Sequence, residues 1–207
     1  MDIKSEQNLE IAILNTAEKL FLEKGFNGTS TVQIAKEVGC NQALVHYYYR
    51  TKENLFNQIF ETKFRSFFQS VFDSTNLENL SFIDKIKYIS ETHFDLLFQN
   101  QRIPMLIIND LSGQPEQMKK LRENLHLIPE QLISLMNKDL QQEINAGRIR
   151  NVSFMDIVIT IVSLNVALFT MLPVASRILE LEEEKTKEIL LHRKEENVKI
   201  ILSYLRP

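Results

Sequence analysis

The 207-residue chain contains few of the residues that cross-link or interrupt a fold. Cys40 is its one cysteine, so no disulfide can form within these residues and no zinc knuckle is possible. Five glycines and five prolines provide few turns, which favours long helices over a turn-rich β architecture. Since 44% of the residues are apolar, as in an average globular protein, the composition predicts a globular helical fold.

A strong net charge of one sign is also missing. The net charge is −3 at pH 7, from 24 basic and 27 acidic residues. A nucleic-acid binder with this balance must place its cations on one face and its acids on another. The N-terminal region permits such a separation, because Glu6, Glu10, Glu18 and Glu23 come first and are followed by Lys36, Arg50, Lys52, Lys63 and Arg65.

No hydrophobic run is long enough to indicate a membrane segment. The most apolar stretch, residues 157–172, includes Ser163 and Asn165 and is shorter than the roughly 20 residues that a bilayer span needs. We interpret it as a buried helix. The first ten residues lack the apolar core of a secretory signal, and a single cysteine suits a reducing compartment, so the expected location is the cytoplasm.

Enzyme signatures are absent from the sequence. It has no nucleophile elbow, metalloprotease motif, phosphate loop or dinucleotide fingerprint. The histidines are too scattered for the spacing of a metal site, since they stand at His46, His93, His126 and His192. We therefore expect a protein that is not an enzyme and that uses no cofactor and no metal.

Helical periodicity dominates the N-terminal region. A first helix is predicted over about residues 8–24, ending at Gly25, from the apolar stripe Leu9, Ile13, Ala17, Leu20 and Phe21. Ser30 and Gln33 form a capping-box pattern at the start of a second helix, which Gly39 ends. The predicted apolar face of this second helix consists of Val32, Ile34, Ala35 and Val38.

A short third helix follows after one tight turn. Asn41 is its predicted N-cap and residues 42–49 are its body, and Thr51 is predicted to cap a long fourth helix over residues 52–72. Two short helices separated by Gly39-Cys40-Asn41 are typical of a helix-turn-helix. In that motif the second of the two helices enters the major groove of DNA.

These residues resemble a known family. The run Gly25-Phe26-x-x-Thr29-Ser30-Thr31-x-x-Ile34-Ala35-x-x-x-Gly39, followed by Tyr48-Tyr49-Arg50-Thr51-Lys52-Glu53-x-Leu55, is similar to the DNA-binding domain of the TetR family. The resemblance covers about residues 8–60 and implies an all-α protein. It implies a three-helix helix-turn-helix DNA-binding domain over residues 1–50 and a larger helical ligand-binding and dimerisation domain over residues 51–207.

The resemblance also implies roles for residues near the third helix. Thr31 would bond a phosphate, and Tyr48 and Lys52 would contact the DNA backbone. The residues on or beside the leading part of the recognition helix are Asn41, Gln42, Ala43, His46 and Tyr47. Among these, Gln42 can bond bidentately to adenine, and Ala43 can contact a thymine methyl group.

Some of these residues have a plainer interpretation. His46 stands where the family usually has an aromatic residue, and its side chain could instead pack on the scaffold. Tyr49 replaces a common Phe and is expected to be a core aromatic whose hydroxyl needs a partner. Cys40 is expected to be a small turn residue, with a redox sensor as the alternative.

The second half of the chain has its own boundary signals. Ser81-x-x-Asp84 and Ser153-x-x-Asp156 predict helix starts. Pro129 is predicted to kink a helix over about residues 115–146, and Pro173 to end the apolar helix that begins at residue 154. A last amphipathic helix is predicted over about residues 184–204.

The family resemblance implies a homodimer formed by the last two long helices, over about residues 154–172 and 184–204. The residues expected to form the dimer stripe are Ile159, Val162, Val166 and Phe169. An isologous dimer would match a two-fold symmetric operator. The alternative is a core helix of a monomer.

Candidate effector-pocket residues are polar, aromatic or thioether groups on apolar helix faces, each of which could also be an ordinary core residue. They are His93, Phe94, Phe98, Met105, Asn109, Met118, His126, Met136, Asn165 and Phe169. Together they would suit an apolar or aromatic ligand of modest polarity.

The expected function is that of a ligand-responsive, DNA-binding transcription regulator. It would repress transcription on double-stranded operator DNA and be released when a small molecule binds, with the long fourth helix transmitting the change. Activation of transcription would use the same parts. The alternative is a helical binding protein for hydrophobic small molecules that does not bind DNA.

Overall fold

The computed structural model describes residues 3–72, 77–108, 119 and 130–207. All regular secondary structure in these residues is helical, so the predicted all-α class is confirmed. The helices, numbered in chain order, are α1 (Ile3–Lys24), α2 (Thr31–Val38), α3 (Gln42–Tyr49), α4 (Lys52–Val71), α5 (Phe82–Gln99), α6 (Ile103–Leu106), α7 (Glu130–Asn145), α8 (Phe154–Ile178) and α9 (Glu183–Tyr204). The predicted kink at Pro129 lies outside the described residues.

The chain divides into two compact units. The first comprises Met1–Ser66 and Met105–Leu125, and the second comprises Phe67–Pro104 and His126–Pro207. The predicted functional division at residue 50 falls inside the first unit and stays a prediction.

A buried apolar core holds the first unit together. The predicted stripe of α1 is confirmed, because Ile13, Ala17, Leu20 and Phe21 are buried and Leu9 packs against them. The aromatic rings of Phe21, Phe26 and Phe56 form one cluster, with centroids 4.9 to 5.8 Å apart. Burial of several aromatic rings is a large contribution to the stability of so small a unit.

The predicted apolar face of α2 is wrong at one position. Ile34 and Ala35 are buried and Val38 is partly buried, whereas Val32 is 56% exposed. Two helical residues correspond to a rotation of about 200°, so Val32 lies opposite Ile34. The prediction placed Val32 in the core because it is apolar, whereas its position on the helix exposes it to solvent.

The turn between α2 and α3 is built from local signals, all of which were predicted. Ser30 Oγ accepts a bond from the Gln33 N–H at 3.2 Å, and Gln33 Oε1 accepts one from the Ser30 N–H at 2.9 Å. Gly39 takes up a φ of 82°, in the left-handed region that favours glycine. Asn41 Oδ1 accepts a bond from the Leu44 N–H at 3.0 Å and begins α3.

The second unit packs α5, α7, α8 and α9 around its own apolar core, which includes Ile86, Met136, Ile157 and Ile201. Ser81 and Ser153 cap α5 and α8 as predicted. Ion pairs join the helices at the edge of this core: Lys85 Nζ lies 2.5 Å from Asp139 Oδ2, and Lys194 Nζ lies 2.6 Å from Asp95 Oδ1.

The predicted end of α8 at Pro173 is wrong, because the helix continues to Ile178. Proline has a helix-compatible φ and removes one backbone N–H, so a helix can continue through it when flanking contacts compensate. One such contact joins the last turn to α9, where Thr186 Oγ1 donates to Ser176 Oγ at 3.2 Å.

The length of α8 overturns the argument that this segment is too short for a bilayer. Its 25 residues are long and apolar enough to cross a membrane, which is weak evidence from composition alone. One side of the helix packs inside the protein, where Ile157, Ile161 and Asn165 are buried. We therefore keep the interpretation of α8 as a packed helix.

Two glycines provide a matched test of the first unit. A Cβ at Gly28 would clash with the Lys24 carbonyl oxygen. A Cβ at Gly39 would meet nothing within 4 Å, so its only cost would come from the positive φ. We expect Gly39→Ala to lower the unfolding free energy by about 1–2 kcal/mol. Gly28→Ala forces backbone to move and should cost more. Urea unfolding measures both, and a Gly28→Ala variant as stable as the parent would contradict the described turn.

Candidate nucleic-acid interface

The short helix α3 has one buried face and one exposed face. Val45 and Tyr49 are 1% and 4% exposed and anchor the helix in the core of the first unit. The opposite face presents residues that the sequence assigns to DNA, because Gln42, Ala43, His46 and Tyr47 are exposed, and Tyr47 is 67% exposed. Tyr48 is half-buried and meets the Tyr47 ring edge to face, with centroids 5.2 Å apart.

Tyr49 is the core aromatic that the sequence predicts. Its hydroxyl donates to the Glu10 carbonyl oxygen on α1 at 3.0 Å, which supplies the partner that a buried tyrosine needs. Burial raises the pKa of this hydroxyl to about 12, which favours the protonated phenol that donates this bond. This anchor determines which face of α3 points to solvent.

Side-chain hydrogen bonds cross the exposed face of α3. Gln42 Nε2 donates to Thr31 Oγ1 at 3.0 Å and lies 3.1 Å from His46 Nε2. On its other side, His46 Nδ1 lies 2.9 Å from the Arg50 carbonyl oxygen. His46 is thus exposed and hydrogen-bonded along the surface, rather than packed into the core.

Lys52 has structural contacts in addition to its predicted contact with the DNA backbone. Its Nζ donates to the carbonyl oxygens of Phe26 and Thr29 at 3.0 and 3.1 Å, and it lies 4.0 Å from the centroid of the Phe26 ring. An ammonium group has three donors, so these two bonds leave one for a phosphate. The contact with DNA stays a prediction.

Surface charges of the first unit are partly paired. Lys19 Nζ lies 2.9 Å from Glu37 Oε1, and Lys63 Nζ lies 2.8 Å from Glu18 Oε1. The second pair links a cation that the sequence groups with the DNA-facing charges to an acid of α1. Such exposed pairs contribute little to stability but reduce the local positive charge.

Cys40 lies at the turn between α2 and α3, where it is partly buried. Burial raises the pKa of its thiol, which disfavours the reactive thiolate. This supports its interpretation as a small turn residue.

The predicted effector-pocket residues fall into separate groups. In the second unit His93 and Asn165 are hydrogen-bonded to each other, Phe94, Phe98 and Phe169 belong to one apolar cluster, and Met136 belongs to another. Met105 is 38% exposed and belongs to the first unit. Asn109, Met118 and His126 lie outside the described residues. The assignment of all ten to a pocket stays a prediction.

A polar network crosses the core of the second unit and links three helices. Asn165 on α8 donates through Nδ2 to the Ser90 carbonyl oxygen at 3.1 Å, and the same nitrogen lies 3.1 Å from His93 Nδ1. Asn165 Oδ1 accepts a bond from Asn197 Nδ2 of α9 at 2.9 Å. Arg193 completes the chain by donating to Asn197 Oδ1 at 2.6 Å.

Three members of this network, Ser90, Arg193 and Asn197, were not predicted from the sequence. Asn197 carried a usable signal, since it is an amide on the buried face of α9, beside Val198 and one turn from Ile201. Its partner could not be inferred, because the pairing of α9 with α8 is a property of the folded unit.

The fold defines a class of all-helical proteins that carry an N-terminal helix-turn-helix. The crystal structure of the transcriptional regulator FadR from Bacillus subtilis in complex with stearoyl-CoA has a TM-score of 0.66 to this chain. The comparison covers 95% of this chain and 99% of FadR at 17% sequence identity, so it shows the fold alone.

Residues 13–59 match the family described as "Bacterial regulatory proteins, tetR family". The chain is 30% identical over 94 residues to the HTH-type transcriptional regulator QacR of Staphylococcus aureus, covering 43% of this chain and 50% of QacR. It is 29% identical over 105 residues to the icaADBC biofilm operon negative regulator IcaR of the same species, covering 51% of this chain and 54% of IcaR.

The resemblance to the tetR family that the sequence predicts is confirmed for residues 13–59. The chain spans about half the length of QacR and IcaR.

The structural contacts of Lys52 can be tested separately from any DNA contact. Lys52→Met removes the ammonium from two carbonyl oxygens and from the Phe26 ring, and we expect it to lower the unfolding free energy by about 1–2 kcal/mol. Lys36→Met is the matched control, because Lys36 is an exposed lysine of α2. Urea unfolding measures both variants. Equal stabilities would show that the carbonyl contacts of Lys52 contribute nothing.

Burial of His93 predicts a pH dependence of stability. Desolvation lowers the pKa of His93 from 6.5 to about 4, so the unfolded chain binds this proton more readily than the folded protein. Stability should therefore be lost as pH falls from 6.5 towards 4, by up to about 3 kcal/mol from this one group. His93→Asn removes the titrating ring and keeps an acceptor for Asn165, so its unfolding free energy should vary less in this window. Parallel pH profiles for parent and variant would contradict this account.

Proposed function

We propose that this protein is a ligand-responsive, DNA-binding transcription regulator that acts in the cytoplasm as a homodimer. The observation that carries the proposal is the exposed face of α3, on which Gln42, Ala43, His46 and Tyr47 all point to solvent while Val45 and Tyr49 hold the helix in place. A helix with an anchored inner face and a polar, aromatic outer face suits insertion into the major groove.

Contacts with the DNA backbone would position this helix. Thr31 is the first residue of α2, and its Oγ1 accepts a bond from Gln42, which leaves the hydroxyl hydrogen for a phosphate. The positive end of the α2 helix dipole adds to the attraction for an anion. Tyr48 and Lys52 would contact the same strand or its partner, and Asn41 sits at the start of α3.

The relatives favour repression as the form of regulation and an apolar molecule as the effector. IcaR is named as a negative transcriptional regulator, and the FadR structure contains stearoyl-CoA, a ligand with a long apolar chain. In this chain, the phenylalanine cluster and the His93–Asn165 network combine apolar and polar groups within the second unit. An effector with an apolar body and a small polar group suits that combination.

Release of the operator on effector binding requires a structural element that responds to both DNA and effector. The helix α4 begins three residues after the end of α3. It contributes Leu55 and Phe56 to the core of the first unit and Val71 to that of the second. We propose that an effector binds one position of α4 better than the other. A differential affinity of about 1–3 kcal/mol would be enough to release the operator.

A second copy of the chain would cover the outer face of α8. Large apolar residues are exposed along it, and they include Met155, Ile159, Val162, Met171, Val174 and Ile178. No charged residue occurs between Ile157 and Ser176, so two copies of this face can meet without like-charge repulsion. Leu191 and Ile200 of α9 are also exposed and extend the apolar surface.

Phe169 does not belong to this surface, contrary to the predicted dimer stripe. It is 2% exposed, and its ring packs against Phe94 with centroids 5.1 Å apart. Val166 is half-buried, which leaves Ile159 and Val162 as the exposed members of that stripe.

DNA binding distinguishes this proposal from a helical small-molecule carrier. Full-length protein incubated with a random duplex library should select a two-fold symmetric site, and the logarithm of its affinity should fall linearly with that of the salt concentration. Tyr47→Ala should change the selected sequence, whereas Lys52→Ala should weaken binding to all sequences. Leu135→Ala, at an exposed position of α7, is the control and should change neither. Binding that shows no sequence preference and no salt dependence would support the carrier instead.

The homodimer can be tested at one exposed position. Ile159→Glu places a charge on the uncharged face of α8. We expect the dimer dissociation constant to rise at least about tenfold, because a symmetric interface would bury one such charge from each subunit. Leu135→Glu introduces the same charge at a similarly exposed residue of α7. Sedimentation without detergent measures both variants. A parent protein that sediments as a monomer at micromolar concentration contradicts the proposed interface.

A further inference from the structure

The hydrogen bonds on the outer face of α3 form a continuous relay. They run from Thr31 Oγ1 to Gln42 Nε2 over 3.0 Å, from Gln42 to His46 Nε2 over 3.1 Å, and from His46 Nδ1 to the Arg50 carbonyl oxygen over 2.9 Å. The relay joins the start of α2 to the turn that leads into α4. Its middle member, Gln42, is the residue placed to read a base.

The Arg50 carbonyl determines the tautomer of His46. A carbonyl oxygen accepts hydrogen bonds and cannot donate them, so His46 Nδ1 must carry the hydrogen. In the neutral ring Nε2 is then an acceptor. It must receive an N–H from its neighbour, which directs the amide nitrogen of Gln42 towards the imidazole.

Both N–H groups of the Gln42 amide are consequently engaged. One is donated to Thr31 Oγ1 and the other to His46 Nε2, which leaves Oε1 as the free polar atom. Bidentate recognition of adenine needs one N–H for N7 as well as the oxygen for the N6 amine. In this arrangement the bidentate contact expected from the sequence would require a bond of the relay to break.

We propose that Gln42 reads DNA through Oε1 alone, as an acceptor for an exocyclic amino group of adenine or cytosine, and that His46 is the positioning residue that holds it in this orientation. In the major groove these amines are the donors that the bases present, whereas guanine presents two acceptors and thymine one. The inference rests on the proposed function, in which α3 enters the major groove.

The turn at Arg50 ties this orientation to the protein backbone. Arg50 has φ 64° and ψ −57°, and the Thr51 N–H donates to the Tyr49 carbonyl oxygen at 2.7 Å, which together define a γ-turn of the rare, strained kind. The His46 ring bonds the carbonyl of this strained residue, and strain of this type concentrates at functional sites. One imidazole therefore supports the entry to α4 and orients Gln42.

Two substitutions separate these roles of His46. In His46→Asn the amide can occupy the place of Nδ1 and donate to the Arg50 carbonyl, but it does not reach Gln42. In His46→Gln the amide can occupy the place of Nε2 and accept from Gln42, but it loses the Arg50 carbonyl. Thermal unfolding of both variants checks that the first unit remains folded.

The experiment starts from duplex sites that the full-length parent selects from a random library. The base read by Gln42 is the one whose preference disappears in Gln42→Ala, and we expect it to be adenine or cytosine. Removing its exocyclic amine, with purine in place of adenine or 2-pyrimidinone in place of cytosine, should weaken binding about tenfold. For adenine, replacing N7 with carbon as 7-deazaadenine should change the affinity less than about twofold, because N7 is not contacted.

The variants complete the test. His46→Asn should reduce the preference at this base to within about threefold, because the freed amide can rotate, whereas His46→Gln should retain it. In the Gln42→Ala background, His46→Asn should produce no further change at this base. A tenfold loss with 7-deazaadenine, selection of guanine or thymine at this position, or an unchanged preference in His46→Asn would each overturn the inference. Failure of the parent to select any duplex would overturn the proposed function itself, which is a distinguishable result.

Discussion

The burial of Val45 and Tyr49 is the constraint on which the rest of this account depends. An eight-residue helix is too short to be stable alone, so tertiary packing must supply its stability. The core of the first unit receives one side of α3, and the Tyr49 hydroxyl bonds the backbone of α1. That packing leaves Gln42, Ala43, His46 and Tyr47 in solvent, where they are available for contact with DNA.

Local signals explain why the first unit could be predicted so closely from sequence. The Ser30–Gln33 capping box, Gly39 and Asn41 determine the helix ends through bonds to residues at most four positions away. The structure shows each of them as predicted. The errors arose where a residue type was read without its surroundings. Val32 is apolar but lies on the outer side of α2, and Pro173 is a common helix terminator that α8 accommodates.

Contacts between residues that are far apart along the chain could not be predicted from the sequence. The engagement of both Gln42 N–H groups depends on Thr31, which is 11 residues away, and the two carbonyl contacts of Lys52 lie more than 20 residues away. The His93–Asn165–Asn197 network joins residues of three helices, and no local pattern indicates that pairing. These contacts decide what the candidate site can recognise. The helical fold and the family resemblance could be predicted from local sequence patterns, whereas these long-range hydrogen bonds could not.

Chemical protection of operator DNA tests the central claim most directly. Dimethyl sulfate methylates guanine N7 in the major groove and adenine N3 in the minor groove, so the pattern of protection reports which groove the protein occupies. If two copies of α3 enter the major groove, guanine N7 should be protected in two patches whose centres lie about 10 base pairs apart, or a multiple of that distance. Protection limited to adenine N3, or a single patch, would contradict the account.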